Sequence, residues 1–403
     1  MKDDKLCYIT KLEKISELSQ KERRQLFPVT EKFAFRTNSY YQNLIDWDDP
    51  DDPIRRIVIP SVEELTTWGE LDASKEHLYT KGPGLEHKYE FTAVLLLNDV
   101  CGAYCRFCFR KRLFMDFNDE ITRNYTQGLN YIRKHKEINN VLLTGGDPLV
   151  LSTRKLEEVI RQLREMDHVK IIRIGTKMPA FNPYRILNDP ALLEMLKKYS
   201  KPGRKIYLIS HFNHPRELTR EAITAMNLIK NAGVETANQT PLLRGVNDDP
   251  AVLGELFNKL SYIGVPPYYL FQCRPTAGNK MFTVPIEEGF EIFEQARMKG
   301  SGLAKRARYV MSHASGKIEI LGMTSEFIYF RYHRAANPEE KSRFLVFHRN
   351  PKACWFDDYQ EFADEFRIEN SFLEADYNPV GVSDSKYASI PRFPRNIITR
   401  DVN

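Results

Sequence analysis

Short apolar segments alternate with longer amphipathic segments through the middle of the chain. Apolar runs of strand length are Thr92–Leu97, Asn140–Thr144, Lys170–Thr176, Lys205–Ser210, Val234–Thr240 and Pro267–Gln272. Helical patterns such as Thr153–Met166, Pro215–Ala232 and Asp249–Ile263 lie between them. This alternation is typical of repeated βα units around a parallel sheet.

Six βα units are too few for a closed barrel of eight strands. After a helical pattern near Ile286–Met298, the sequence changes to hairpin-like strands at Lys317–Leu321, Phe327–Tyr332 and Arg343–Phe347. We therefore predict an α/β protein with a partial, open (β/α)6 TIM-like barrel. Residues 1–90 form a helical N-terminal region, 91–300 the barrel, and 301–403 a β-containing extension with a proline-containing tail.

Composition limits the classes of partner. The 403 residues carry 59 basic and 54 acidic side chains, a net charge of +5, so there is no electrostatic reason to expect nucleic acid. The start of the chain lacks the apolar segment of a signal peptide, and no stretch approaches the roughly 18 apolar residues of a membrane span. We expect no membrane association and a cytoplasmic location.

Three of the six cysteines lie within eight residues of each other, in Cys101-Gly-Ala-Tyr-Cys105-Arg-Phe-Cys108. This C-x3-C-x2-C segment directly follows the first predicted barrel strand. Three thiolates there can hold three irons of a [4Fe–4S] cluster and leave the fourth iron open for a ligand. The alternatives are a zinc site, which needs a fourth ligand, or unrelated buried thiols.

The cysteine motif, together with Gly145-Gly146-Asp147-Pro148 after the second strand, resembles the radical S-adenosylmethionine (SAM) superfamily. The resemblance implies that the open iron chelates the amino and carboxylate groups of SAM. It also implies that the two glycines let the backbone approach the methionyl group closely. Without the cysteines, the glycines would indicate only a βα turn.

Further segments resemble the lysine 2,3-aminomutase family over about residues 55 to 320. They are Tyr104-Cys105-Arg106, Arg110-Lys111-Arg112, Leu142-Leu143-Thr144, Ile172-Arg173-Ile174-Gly175-Thr176, His211-Phe212-Asn213-His214-Pro215, Asn238-Gln239, Leu242-Leu243-Arg244-Gly245-Val246-Asn247, Pro267-Tyr268-Tyr269 and Gln272-Cys273. The resemblance implies an isomerase in which a 5′-deoxyadenosyl radical abstracts hydrogen from an amino acid. Pyridoxal 5′-phosphate (PLP) carries the migrating amino group as an imine. It further implies an electron donor such as flavodoxin or ferredoxin, and a homo-oligomer.

The resemblance also suggests roles for individual residues. Arg110 matches an arginine that clamps the substrate carboxylate, a role that suits guanidinium geometry. Its alternative is a surface arginine in a basic run. His211 and Gln239, at the ends of the fourth and fifth strands, would contact SAM or the substrate bound to PLP.

Lys317 matches the lysine that holds PLP, and Lys88-Tyr89 match a pair near that cofactor. Only Gly316 remains of the family's glycine run before this lysine, and the segment is shorter. The alternative is a solvated lysine at the start of a strand.

A second departure concerns the substrate. Where lysine mutases place two aspartates around the distal ammonium, this chain has Arg274 and Ser312. An arginine would repel a lysine ammonium, whereas it would pair with a carboxylate. This pattern resembles glutamate 2,3-aminomutase. We expect Arg274 to bind a distal carboxylate, or the substrate to be another amino acid.

Two other functions stay open from the sequence. One is a radical SAM enzyme without PLP that acts on a peptide, a protein side chain or a metabolite. The other is a non-catalytic iron–sulfur or zinc-binding protein.

Overall fold

The structure is a computed structural model that describes residues 6–115, 120–121 and 124–366. The predicted proline-containing tail lies outside these residues. Within them, the strands in chain order are β1 Tyr8–Ile9, β2 Thr37–Asn38, β3 Thr80–Gly82, β4 Leu85–Tyr89, β5 Thr92–Asn98, β6 Asn140–Gly145, β7 Ile171–Thr176, β8 Ile206–Ser210, β9 Glu235–Pro241, β10 Pro267–Phe271, β11 Arg308–His313, β12 Gly316–Met323, β13 Phe327–Ala335, β14 Phe344–His348 and β15 Phe362–Phe366.

The helices surround this sheet and fill the N-terminal region. They are α1 Gln20–Lys32, α2 Ser39–Gln42, α3 Pro53–Val58, α4 Thr126–Lys134, α5 Thr153–Arg164, α6 Met178–Phe181, α7 Tyr184–Leu187, α8 Pro190–Tyr199, α9 Arg220–Asn231, α10 Pro250–Tyr262 and α11 Ile286–Met298. None of the helices in the described part of the chain is both long and apolar enough to cross a membrane.

Strands β3 to β15 form one sheet in which neighbours along the chain are also neighbours in space. Strands β5 to β11 pair in parallel, whereas β3, β4 and β12 to β15 add antiparallel strands at the two sides. The edge strands β3 and β15 do not pair with each other, so the barrel is open, as predicted. The six predicted barrel strands correspond to β5 to β10.

Strand β11 is a seventh parallel strand that the sequence pattern did not indicate. Its apolar centre is only Tyr309, Val310 and Met311, too short to stand out beside polar flanks. It pairs in parallel with β10 and antiparallel with β12. It therefore joins the barrel to the C-terminal hairpins and brings β12 to the barrel wall. The division at residues 90 and 300 remains a prediction.

Side chains alternate between the two faces of the barrel strands, as the pleat of a β-strand requires. In β6, Val141 and Leu143 are fully buried in the apolar core beneath the helices. The alternate residues Leu142 and Thr144 face a cavity inside the barrel. The inward face is thus available for chemistry, while the outward face stabilises the fold.

The N-terminal region holds the cysteine segment in place. Arg106, between two of the cysteines, donates hydrogen bonds of 2.8 and 2.7 Å to the Glu64 carboxylate, and both side chains are almost completely buried. The backbone nitrogen of Arg106 donates to the carbonyl of Ile57, and that of Tyr104 to the carbonyl of Arg36. The N-terminal region therefore positions the cysteines, although it lies outside the barrel in sequence.

We predict that Glu64→Ala strongly destabilises the fold, because it leaves the Arg106 guanidinium buried without its partner. Loss of one partner of a buried ion pair lowers the free energy of unfolding by about 3–5 kcal/mol. Urea unfolding of the purified protein measures this change. Glu255→Ala, which removes the exposed Glu255–Lys259 pair, is the control and should change the same quantity by less than about 1 kcal/mol. Equal effects would contradict this account of the buried pair.

Candidate active site

The open barrel encloses a cavity of about 320 Å³. Every residue that the sequence assigned to the site lines it: Lys88, Tyr89, Cys101, Cys105, Cys108, Arg110, Gly145, Gly146, Asp147, His211, Gln239, Arg274, Ser312 and Lys317. These residues come from strands and loops spread over more than half of the chain. The fold therefore brings the separate motifs into one place.

The three cysteines lie on the loop after β5, at the end where barrel enzymes place functional groups. Burial raises the pKa of all three thiols. Among the described residues, no three His, Cys, Asp or Glu side chains converge on a single metal position. A cubane cluster takes each thiolate on a different iron, so its ligands stand apart.

The glycine pair fastens the loop after β6 to the turn that leads into Cys101. The backbone nitrogen of Gly146 donates to the Asn98 carbonyl at 2.6 Å, and that of Asp147 to the Val100 carbonyl at 2.9 Å. A Cβ on Gly146 would lie 2.4 Å from both Asn98 Oδ1 and the Val100 carbonyl oxygen. A Cβ at this position would thus collide with the chain itself, independently of any ligand.

The carboxylate of Asp147 binds groups of the protein itself. Its carboxylate accepts hydrogen bonds from Thr176 Oγ1 and from the backbone nitrogens of Leu149, Lys177 and Met178. Burial raises its pKa to about 6 in spite of these donors. Asp147 therefore fixes the ends of β6 and β7 relative to each other.

His211 and Gln239 occupy the cavity wall at the ends of β8 and β9. Burial and the nearby Lys177 ammonium lower the pKa of His211 to about 3, so the imidazole is neutral. Its ring packs edge-on against Phe107 in the cysteine loop. Lys177 donates to the His211 carbonyl at 2.8 Å and to Glu217 at 2.5 Å. The neutral imidazole can accept a hydrogen bond or pack on a ligand there.

Arg110 is buried, so it is not the surface arginine of the alternative interpretation. Its guanidinium forms two hydrogen bonds with Glu76, of 3.0 and 2.8 Å, and a longer one of 3.3 Å with Glu86. Arg112 also donates to Glu76, at 2.8 Å. Although burial opposes ionisation, Arg110 and Arg112 lower the pKa of Glu76 to about 2.

The pKa of Glu86 is shifted in the opposite direction to that of Glu76. Burial and the neighbouring Glu76 carboxylate raise the pKa of Glu86 to about 7. Its Oε1 atom is buried without a hydrogen-bond partner. One carboxyl group beside Arg110 is thus ionised, and the other is poised to change its charge near neutral pH.

Arg274 stacks its guanidinium on the Phe109 ring, 3.6 Å from the ring centroid. Its Nη1 atom is buried with no hydrogen-bond partner, and no carboxylate among the described residues lies within ion-pair distance. Burial lowers its pKa to about 10, so it remains a cation at neutral pH. An unpaired buried guanidinium is unfavourable unless an anion joins it.

Lys317 is enclosed, so it is not the solvated lysine of the alternative interpretation. Its ammonium nitrogen lies 4.0 Å from the Tyr269 ring centroid. Burial, followed by the charges of Arg334, Arg173, Arg274 and Lys88, lowers its pKa far below the ordinary value. A neutral buried amine is the form that reacts with an aldehyde, so the site fits PLP.

Glu76, Glu86, Phe109 and Arg173 are site residues that the sequence analysis did not identify. A signal existed for one of them, since Glu86 and Lys88 alternate along β4 and so face the same side. Glu76 gave no signal, because it lies on a short 3₁₀ turn, Glu76–Tyr79, which has no sequence periodicity to mark one of its faces.

Comparisons with known proteins define the class first. The sequence profile of the Radical SAM superfamily matches residues 95–253. A provisionally assigned L-lysine 2,3-aminomutase of Aquifex aeolicus is 61% identical over 364 residues, covering 90% of this chain and 97% of the relative. L-lysine 2,3-aminomutase of Clostridium subterminale is 39% identical, covering 73% of this chain and 70% of the relative. Glutamate 2,3-aminomutase of Clostridioides difficile is 36% identical, with coverages of 75% and 70%.

The chain belongs to the lysine 2,3-aminomutase family of radical SAM enzymes. This confirms the isomerase class predicted from the sequence, and the family's cofactor set of [4Fe–4S] cluster, SAM and PLP. The relatives include both lysine and glutamate enzymes. Family membership therefore does not identify the substrate, which depends on the residues that line this cavity.

We predict that Gly146→Ala disturbs the cysteine loop, because its Cβ would displace the turn at Asn98 and Val100. Iron bound per chain after anaerobic reconstitution should fall to less than about half of the wild-type value, in keeping with overpacking strain. Gly302→Ala is the matched control, since a Cβ there meets nothing within 4 Å. Wild-type iron content in Gly146→Ala would refute the importance of this contact.

Proposed function

We propose that the protein is an amino acid 2,3-aminomutase whose substrate is not lysine but an amino acid with a distal carboxylate, of the glutamate type. The observation that carries this proposal is Arg274, a buried guanidinium with an unpaired Nη1 atom in the cavity wall. A lysine ammonium near it would add like-charge repulsion. A carboxylate would neutralise it and supply the missing hydrogen-bond acceptor.

The residues of the cavity divide the work as follows. Cys101, Cys105 and Cys108 bind the cluster. Arg110 binds the α-carboxylate of the substrate, and Lys317 holds PLP. When bound, these cofactors supply the radical and the amino-group chemistry. The protein encloses the reacting groups in a cavity that excludes bulk water.

Other residues support the two arginines. Phe109 fixes the guanidinium of Arg274 by stacking, and Ser312 contributes a small side chain with a hydroxyl group to the cavity wall. Glu76 orients the guanidinium of Arg110 through two hydrogen bonds. The distance between Arg110 and Arg274 across the cavity then determines which length of substrate can reach both guanidinium groups.

The electron donor, the homo-oligomer and the cytoplasmic location stay predictions.

We expect the iron-reconstituted enzyme, supplied with SAM, PLP and a reductant, to convert glutamate to β-glutamate with a higher kcat/KM than lysine to β-lysine. Arg274→Gln should lower kcat/KM for glutamate by about 10- to 100-fold, because one charge-assisted hydrogen bond is lost. Arg297→Gln, which alters an arginine paired with Glu294 on α11, is the control. Product amino acids are quantified by chromatography. Brisk conversion of lysine with none of glutamate would refute the proposal.

A pH dependence follows from Glu86. Below pH 7 its carboxyl group is protonated, and above pH 7 it adds a negative charge beside Arg110 and Glu76. The KM for an anionic substrate should therefore rise as the pH increases through about 7, by up to about tenfold per pH unit. Arg110, Arg112, Glu76 and Glu120 are the charges that act on this carboxyl group.

Glu86→Gln is the test of this dependence, since an amide has the same shape and does not titrate. The variant should keep a low and constant KM across pH 6 to 8, measured as the initial rate of β-amino acid formation. A KM that still rises with pH in the variant would assign the effect to another group.

A further inference from the structure

Three polar side chains form a row across the hairpins that follow the barrel. In the register of the sheet, Lys317 on β12 is the direct partner of Ser312 on β11 and of Arg334 on β13. Cβ atoms of direct partners on antiparallel strands lie only about 4.5–5.5 Å apart. Arg334, which no motif indicated, is thus a neighbour of the lysine that holds PLP.

Arg334 reaches the wall of the cavity through two contacts. It donates a 2.8 Å hydrogen bond to Thr92 Oγ1, and its guanidinium lies 4.1 Å from the centroid of the Tyr89 ring. Both Thr92 and Tyr89 line the cavity. Arg334 is therefore fixed beside the cavity in a defined orientation.

Arg173 approaches the same place from inside the barrel. It lies on the inward face of β7 and lines the cavity, where its Nε atom donates to Asn140 Oδ1 at 2.9 Å. The positive charge of Arg334 acts on Arg173, and both charges act on Lys317. The two arginines, which are far apart in the sequence, are thus both close enough to Lys317 for their charges to act on it.

Within the described residues, neither arginine has a carboxylate at ion-pair distance. The charge of Arg334 disfavours that of Arg173, and a cation in a cavity wall without a partner is unfavourable. An anion bound between the two guanidinium groups would relieve both costs. On PLP, the aldehyde and the phosphate-bearing methylene occupy adjacent positions of the pyridine ring. A lysine for the aldehyde therefore requires a phosphate site close beside it.

We propose that Arg334 and Arg173 form the phosphate-binding site for PLP held at Lys317, so that the C-terminal hairpin completes the cofactor site. This inference rests on the proposed function, because it requires PLP at Lys317. It assigns a cofactor-binding role to β13, a strand of the C-terminal hairpins. The phosphate dianion neutralises the two guanidinium groups and receives their hydrogen bonds.

The test compares PLP with pyridoxal, which has the aldehyde but no phosphate. Purified protein without SAM or reductant is titrated with each compound, and binding is followed by absorbance. Arg334→Gln and Arg173→Gln should each weaken PLP binding about 10- to 100-fold, the range for one charge-assisted hydrogen bond. Pyridoxal binding should change by less than about twofold. Arg334→Lys, which keeps the charge, should recover part of the preference for PLP.

Arg331→Gln is the matched control, because Arg331 lies on the same strand but pairs with Glu319. Borohydride reduction and mass mapping show whether the cofactor is attached to Lys317 in each protein. If PLP modifies Lys317 but both glutamine variants keep wild-type affinity for it, the phosphate site is wrong and the proposed function stands. Equal losses for PLP and pyridoxal also overturn the phosphate site. A wild-type protein that leaves Lys317 unmodified overturns this inference and the PLP role of Lys317 together.

Discussion

The organisation of the active site depends on an excess of buried positive charge. Arg173 and Arg274 line one cavity of about 320 Å³, and neither has a carboxylate at ion-pair distance among the described residues. Two carboxylates in the wall are already engaged, since Glu76 binds Arg110 and Asp147 binds backbone nitrogens. Uncompensated cations in a cavity are unfavourable in the free protein, so the site is built for anions. Of the ligands that the family uses, PLP is anionic through its phosphate, and every amino acid substrate carries an α-carboxylate.

This constraint explains why the fold extends beyond the barrel on both sides. The C-terminal hairpins deliver Lys317 and Arg334 through strand pairing with β11. The N-terminal region delivers Glu76 and Glu86 to Arg110, and its buried Glu64 fixes the cysteine loop through Arg106. The barrel core supplies the cavity and several of its charged groups, and the two flanking regions supply the others, among them Glu76, Glu86 and Lys317. An open barrel leaves room for both.

Several motif residues hold neighbouring loops and strand ends in position, a role that does not require contact with a ligand. Gly146 has no space for a Cβ because the Asn98–Val100 turn lies against it, so the glycine motif first serves the position of Cys101. Asp147 joins the ends of β6 and β7 in the same way. Motif residues that the sequence assigns to a cofactor thus also provide the local packing on which the cofactor site depends.

The sequence by itself determined the open barrel, the cysteine motif and many of the residues around the cavity, because strand periodicity and short motifs are local properties. The bounds of β5 to β10 and the gathering of Lys317, Arg110 and Arg274 agree with that analysis. Only the tertiary structure decided that Arg110 donates hydrogen bonds to both Glu76 and Glu86, and that Arg334 lies opposite Lys317. Ion pairing and strand register join residues far apart in the chain, and neither leaves a periodic trace in the sequence.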